Sequence, residues 1–267
     1  MYRKLAALCL PLVLAACAST PQVPSAVMSE LAPGGKLRVA MNYGNIVLAQ
    51  KDPATGEARG ISADLARELA RRLGVPIEWL SYDTAGKVAE AAKSGAWDIA
   101  FLAIDPARAT DVEFTPPYVI IEGSYLVRTD SPLKRIDEFD QSGLRIAVGQ
   151  RTAYDLFLTR TLKKSTLVRS PTSQTAIDQF VNDKLEAAAG VKKTLQRWNG
   201  QNPGYRVIDG TFTDIKQAMG VPKGRTAGAK YLTDFVEEMK ASGFVAKGLA
   251  ASGQTEATVA PAANLAR

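Results

Sequence analysis

Arg108 is the residue whose type and setting point most directly to chemistry. It stands two residues after Asp105-Pro106, where the apolar run Ile99 to Ile104 ends. Aspartate favours the N-cap of a helix, and proline suits the first helical position because its missing N–H had no partner there anyway. The spacing therefore predicts a helix start at Asp105, used as a cap, with Arg108 in the first turn. Free backbone N–H groups at a helix start favour an anion, and a guanidinium beside them adds a planar fork for a carboxylate or phosphate. The same residues also fit a plain structural cap followed by a solvated arginine.

Other chemistries are closed off by composition. The chain has no histidine, and its two cysteines are Cys9 and Cys17, both near the start. Histidine-based triads, most zinc sites, thiol nucleophiles and disulfides are thereby excluded from the body of the chain. No phosphate-binding P-loop is present, since Gly220 to Gly224 lacks the following Lys-Ser/Thr. No cofactor is expected. Lys and Arg number 33 against 27 Asp and Glu. Without Arg3 and Lys4 the balance is 31 − 27 = +4, a mild basicity that favours anions only weakly. The basic run Arg160 to Arg169 lacks interleaved aromatics and reads as a solvated helix end, not a nucleic-acid groove.

The elements that must position Arg108 follow an alternating order. Leu37 to Met41, Ile77 to Leu80 and Trp97 to Ile104 read as strands. Residues 51 to 60 form a hairpin-like connection, and Ser62 is placed as the cap of a helix facing inward with Leu65, Leu69 and Leu73. Lys87 to Ser94 is a short helix. Val119 to Arg128 is a long β-prone run broken by Glu122-Gly123, suited to carrying the chain from one domain to another. A second unit follows, with strands at 144–148, 185–189 and 205–208 and helices at 152–162, 173–182 and 191–198. Gln217 to Val221 returns as a strand of the first unit, and Leu232, Phe235, Val236 and Met239 mark a late helix. The class is α/β with a mainly parallel sheet. Trp79, Trp97 and Trp198 are read as packing residues.

The start has the form of a leader: Tyr2-Arg3-Lys4, an apolar stretch from Leu5 to Leu14, then Leu14-Ala15-Ala16-Cys17. The last four resemble a bacterial lipobox. Residues 1–16 are expected to be a signal peptide and Cys17 the lipidated residue; an ordinary secretory leader with cleavage at Ala16 is the alternative. Residues 17–34 are expected to be anchor and flexible tether, and 252–267 a flexible tail.

Five pieces, in order, resemble the bacterial extracellular solute-binding proteins of the polar amino acid type, family 3. They are Leu37-Arg38-Val39, Gly60-Ile61-Ser62-Ala63-Asp64-Leu65-Ala66, Ser94-Gly95-Ala96-Trp97-Asp98-Ile99, Ile104-Asp105-Pro106-Ala107-Arg108, and Val112-Glu113-Phe114-Thr115-Pro116-Pro117-Tyr118. The resemblance spans roughly residues 36 to 250. It implies a two-lobed periplasmic-binding-protein type II fold with two hinge strands and a ligand cleft between the lobes. Lobe 1 would be about 35–124 plus 214–251, and lobe 2 about 125–213. It further implies a small-molecule solute whose carboxylate is held by Arg108, an ABC permease in the inner membrane as partner, a periplasmic lipid-anchored monomer, and no nucleic acid.

The chain departs from the family pattern where an amino group would be held. Asn42 stands at an aspartate position, and Gly190-Val191 falls where a second aspartate is expected. Asn45 and Ala85 align with aromatic positions, Ala103 with a serine, and Arg151 with a glycine preceding Thr152. Tyr43 and Tyr82 are candidates to replace the aromatics. A buried ammonium needs a carboxylate partner. The expectation is therefore an anionic solute, an organic acid or an amino-acid-like molecule, gripped by Arg108 and Arg151, with Asn42, Tyr43, Asn45 and Thr152 completing the site. Asn42 and Asn45 equally fit plain turn chemistry, and Arg151 a surface position at the rim. Two other functions remain open: a dehydratase of the cyclohexadienyl type on the same fold, and a receptor for a membrane sensor.

Overall fold

The computed structural model describes residues 22–254 and 257–264. The leader at 1–16 and Cys17 lie outside the described residues. A short helix α1 (Ser25–Leu31) precedes β1 (Leu37–Asn42), the hairpin β2 (Gln50–Lys51) and β3 (Ala58–Arg59), α2 (Ile61–Leu73), β4 (Ile77–Tyr82), α3 (Ala85–Ala91), β5 (Ile99–Ala103), β6 (Val112–Phe114) and the long β7 (Val119–Arg128). The second half runs through a 3₁₀ turn (Ile136–Phe139), β8 (Arg145–Gly149), α4 (Ala153–Thr161), β9 (Thr166–Ser170), α5 (Ser173–Asn182), β10 (Ala187–Val191), α6 (Lys192–Gln201) and β11 (Tyr205–Val207). The long β12 (Thr213–Pro222), α7 (Thr226–Ala241), α8 (Phe244–Ala251) and β13 (Thr258–Val259) complete it.

The main sheet has the order β4-β1-β5-β12-β7-β10-β8-β9. Two parallel triplets, β4-β1-β5 and β10-β8-β9, flank the antiparallel pair β12 and β7. Each long strand serves both sides. In β7, residues 119–123 pair with β12 and residues 123–126 with β10. In β12, residues 213–217 pair with β7 and residues 217–220 with β5. The Glu122-Gly123 interruption does not break β7. A Cβ at Gly123 would lie 2.8 Å from the Phe212 ring, so the missing side chain is what lets that ring lie against the strand.

Parallel strands bury both faces, and β5 is buried throughout. On one side Ala40, Val88, Trp97 and Leu102 form a cluster, with the Trp97 indole N–H donating to the Val88 carbonyl at 2.9 Å. In the second half Leu126, Ile177, Phe180 and Leu195 form its counterpart. Trp97 is thus a packing residue, as expected, and Trp198 lies edge-on to Tyr205.

Five local expectations are corrected. The α2 cap is Gly60; Ser62 lies inside the helix and its hydroxyl shares a buried 3.0 Å hydrogen bond with Tyr118. No helix follows Asp105: the chain makes one turn there and enters β6. Part of the basic run is a strand, β9, held by parallel pairing to β8. The tether over 17–34 ends early, because α1 docks on α7. Val27 and Leu31 are buried, and Glu30 accepts from the Gly228 N–H at 2.7 Å. The Glu30 carbonyl accepts from Arg225, which also pairs with the wholly buried Asp98. The tail over 252–267 is partly ordered, because β13 pairs with β7 and the Ala260 N–H donates to the Tyr118 carbonyl.

Candidate functional site

Five strand ends, those of β1, β4, β5, β8 and β10, meet around one small cavity, of about 50 Å³. Asn42 lines it from the last position of β1, Asn45 from the turn that follows, and Asp83, Thr84 and Ala85 from the start of α3. Arg108 lines it from the turn after β5. Thr152, Ala153 and Tyr154 line it from the start of α4, and Val191 from the end of β10. Ligand sites in open α/β sheets lie at the carboxyl ends of strands, and this one sits where two such sets face each other.

The Arg108 wall is rigid. Asp105 Oδ1 accepts from the Ala107 N–H at 2.8 Å, and the Asp105 carbonyl accepts from the N–H groups of Arg108 and Ala109, both at 3.0 Å. Asp105 therefore acts as a cap, though of a single turn. The Arg108 side chain is 4% exposed. Its Nη1 donates to the Ala103 carbonyl and its Nη2 to the Arg151 carbonyl, both at 3.0 Å. Burial pushes the guanidinium down to about 10, with Asp105 opposing the shift, so it stays cationic at neutral pH. The Asp105 carboxylate is itself engaged by Arg160 at 2.8 Å. Both hydrogen bonds of Arg108 thus go to backbone carbonyls, and its fork still has N–H groups to give.

On the α4 wall, Thr152 is the N-cap. Its Oγ1 accepts from the Asp155 N–H at 3.2 Å and donates to the Gly149 carbonyl at 2.8 Å. The next two N–H groups, of Ala153 and Tyr154, lack intrahelical partners by the geometry of a helix start, and both residues line the cavity. The Tyr154 hydroxyl donates to Ser173 Oγ at 2.8 Å, which pins the ring.

Arg151 is placed differently from expectation. It does not line this cavity; its half-exposed side chain pairs with Glu90. Its backbone is left-handed, φ 59°, a conformation that costs a non-glycine residue roughly 1 kcal/mol. The Arg151 N–H is held by Asp155 Oδ2 at 2.7 Å, and that grip dictates the side chain's exit. Opposite, Gly86 leaves the space: a Cβ there would lie 2.8 Å from Arg151 Cβ. Tyr43 is also outside. Its ring lies under Lys51, 4.9 Å from the ammonium. Of the residues predicted for the site, Arg108, Thr152, Asn42 and Asn45 come together, whereas the side chains of Arg151 and Tyr43 do not.

The two asparagines divide the alternatives left open for them. Asn42 Oδ1 accepts from the Gly44 N–H at 3.1 Å, which is turn chemistry. Asn45 Oδ1 is buried without a hydrogen-bond partner. Asp83, which the sequence reading missed, also lines the cavity, and its exposed carboxylate pairs with Lys87 at 2.9 Å. Its position just before the α3 cap Thr84 was the available signal. Among the described residues no group of His, Cys, Asp and Glu could hold a metal ion, and no helix is long and apolar enough to cross a membrane.

The family description of bacterial extracellular solute-binding proteins, family 3, matches residues 37–250. The chain belongs to that family. A glutamine-binding protein of Geobacillus stearothermophilus is 24% identical over 205 residues, 75% of this chain and 78% of that protein. The solute receptor for L-cysteine of Neisseria gonorrhoeae superposes with a TM-score of 0.74 at 21% identity, covering 85% of this chain and 93% of that one. A mutant of the T. maritima protein ArgBP gives a TM-score of 0.73 at 22% identity, covering 85% and 99%. This solute-binding protein shares their mixed α/β fold. Membership in a family of binding proteins displaces the dehydratase alternative.

Proposed function

We propose that this protein captures a small carboxylate-bearing solute and delivers it to an ABC importer. The observation that carries the reading is Arg108, a buried guanidinium satisfied so far by backbone carbonyls only, facing the open N–H groups of α4 across one cavity. A carboxylate between them would take a charge-assisted pair from one side and helix-start N–H groups from the other. β7 and β12 are the hinges, between lobe 1 (about 35–124 plus 214–251) and lobe 2 (about 125–213). Closure across them brings Arg108 to the Arg151 carbonyl.

The solute class shifts from the initial expectation. With Arg151 turned toward Glu90, the cavity has one arginine rather than two. Asn45 Oδ1 and Asp83 can serve an ammonium. An amino-acid-type zwitterion therefore fits better than a dianion, in keeping with relatives named for glutamine and L-cysteine. An organic acid is the second reading, favoured by the lack of a carboxylate at Asn42 and Val191. The leader supports lipidation at Cys17 and a periplasmic, membrane-tethered monomer; metabolic labelling with palmitate tests it, since Cys17→Ala should abolish incorporation.

The deciding experiment is a thermal-shift screen of the protein against amino acids, monocarboxylates and succinate. A solute at a hundred times its dissociation constant stabilises by about 2.7 kcal/mol. Stabilisation by amino acids that disappears in Arg108→Ala supports the reading. Stabilisation by succinate alone selects the organic acid, and no response to any carboxylate overturns both.

A further inference from the structure

Of the lobes assigned above, Arg160 belongs to lobe 2, in the last turn of α4, yet its Nη2 meets Asp105 Oδ2 of lobe 1 at 2.8 Å. The carboxylate divides its work. Oδ1 fixes its own turn by accepting from the Ala107 N–H, and Oδ2 reaches across to the other lobe. Two further contacts cross nearby. Arg108 donates to the Arg151 carbonyl, and the Arg151 side chain pairs with Glu90 of α3. The Arg151–Glu90 pair is exposed at both ends, 50% and 54%, and such a pair contributes little. The Asp105 carboxylate is 3% exposed, so of these two ion pairs the Arg160–Asp105 pair is the one with a buried member.

Asp105 has two cations near it, one from each lobe. Arg108, of its own lobe, feels the Asp105 charge, but a pairing between those two would join nothing. Arg160 comes from the other side, and its pairing ties α4 to the turn after β5. A buried charge needs a counter-charge. With Arg160 gone, the carboxylate has Arg108 of its own lobe to turn to, and lobe 2 keeps only the Arg108 hydrogen bond and the exposed Arg151–Glu90 pair as its hold at this place.

We propose that Arg160 is a latch: its pair with Asp105 holds the two lobes together through the chain's own groups, so that a solute has less of the closure to supply. Apparent affinity scales with the fraction of protein already in the binding-competent form, and release waits on the pair breaking. Arg160 does not line the Arg108 cavity; it is a positioning residue that acts through Asp105. This rests on the hinge reading above and assigns the contact that sets its balance.

The test is hydrogen exchange, read by mass spectrometry on the intact protein with no solute added, at α3 in lobe 1 and at residues 149–152 in lobe 2. These two segments face each other, since a Cβ at Gly86 would lie 2.8 Å from Arg151 Cβ. Exchange at such places reports openings even when they are rare. Arg160→Ala should speed it at both by about threefold to tenfold, with α7 unchanged. Asp105→Asn should do the same, because the amide keeps an oxygen for the Ala107 N–H and loses the charge. Arg160→Lys keeps the charge and should stay within about twofold of the parent. Loosening of α4 alone would speed 149–152 and leave α3 as it was. Gly86→Leu is the control for the hinge. Leucine suits a helix better than glycine but has no room against Arg151, so it should wedge the lobes apart and raise the radius of gyration in small-angle scattering. Melting temperatures report that each variant folds. A wedge that opens the protein, with α3 exchange unmoved in folded Arg160→Ala and Asp105→Asn, overturns the latch while the hinge stands. A folded Gly86→Leu protein with the parent's radius overturns both.

Discussion

The turn after β5 and the turn after β8 are built from the same parts and use them in opposite ways. Each has a buried aspartate that accepts from backbone N–H groups, Asp105 in one and Asp155 in the other, and each carries an arginine. In the first, ordinary right-handed backbone lets Arg108 fold inward, onto the carbonyl of its own β5. In the second, Asp155 pulls the Arg151 N–H, the backbone goes left-handed, and the side chain leaves toward Glu90. One arginine lines the cavity and the other lends only its carbonyl. Residue type set the charge, but backbone geometry decided which side of the wall it serves.

Removing Arg108 should have the largest effect. Arg108→Ala deletes a buried charge expected to pair with the solute, worth about 2–5 kcal/mol, so calorimetry should show affinity falling by at least about thirtyfold. Thr152→Ala comes next. It removes the α4 cap, about 1 kcal/mol, and should lower the melting temperature by roughly 2–4 °C while disordering the start of α4. Arg160→Ala sharpens the contrast differently. It frees the Asp105 carboxylate to engage Arg108 instead of the solute, and should weaken binding by roughly threefold to tenfold. Because Arg160 is about half exposed, at 45%, the effect stays near the lower end. Smallest is Arg151→Gly. Glycine relieves the left-handed backbone and keeps the carbonyl, while an exposed ion pair is lost, so stability should change by less than about 1 kcal/mol and solute affinity by less than about twofold. A large loss of affinity there would mean that both arginines serve the solute.

The alternation of strands and helices was legible from periodicity, as was the hairpin before α2 and the buried run of β5. Arg108 was legible from its place after a strand. What escaped has identifiable causes. The edge strand β9 is half-exposed, follows Lys163-Lys164 and contains Arg169, so it carries no apolar alternation. α1 is only seven residues long, in a Ser- and Pro-rich setting, and its two buried anchors Val27 and Leu31 matter only once α7 is present. The direction of the Arg151 side chain depends on a non-glycine left-handed backbone held by Asp155, which residue type does not announce. Gln254 is buried within a stretch of small and polar residues that carries no apolar period.

The docking of α1 also sets the scale of a leash. If Cys17 carries the lipid proposed above, eight residues, Cys17 to Pro24, separate that anchor from α1 in the sequence. At roughly 3.5 Å each they reach about 28 Å when taut. A loose stretch to residue 34 would have doubled that radius. The shorter leash would confine an anchored protein to a thin shell above the bilayer. It would raise the local concentration at which such an anchored protein meets a membrane-embedded partner, with the α1–α7 face nearest the anchor.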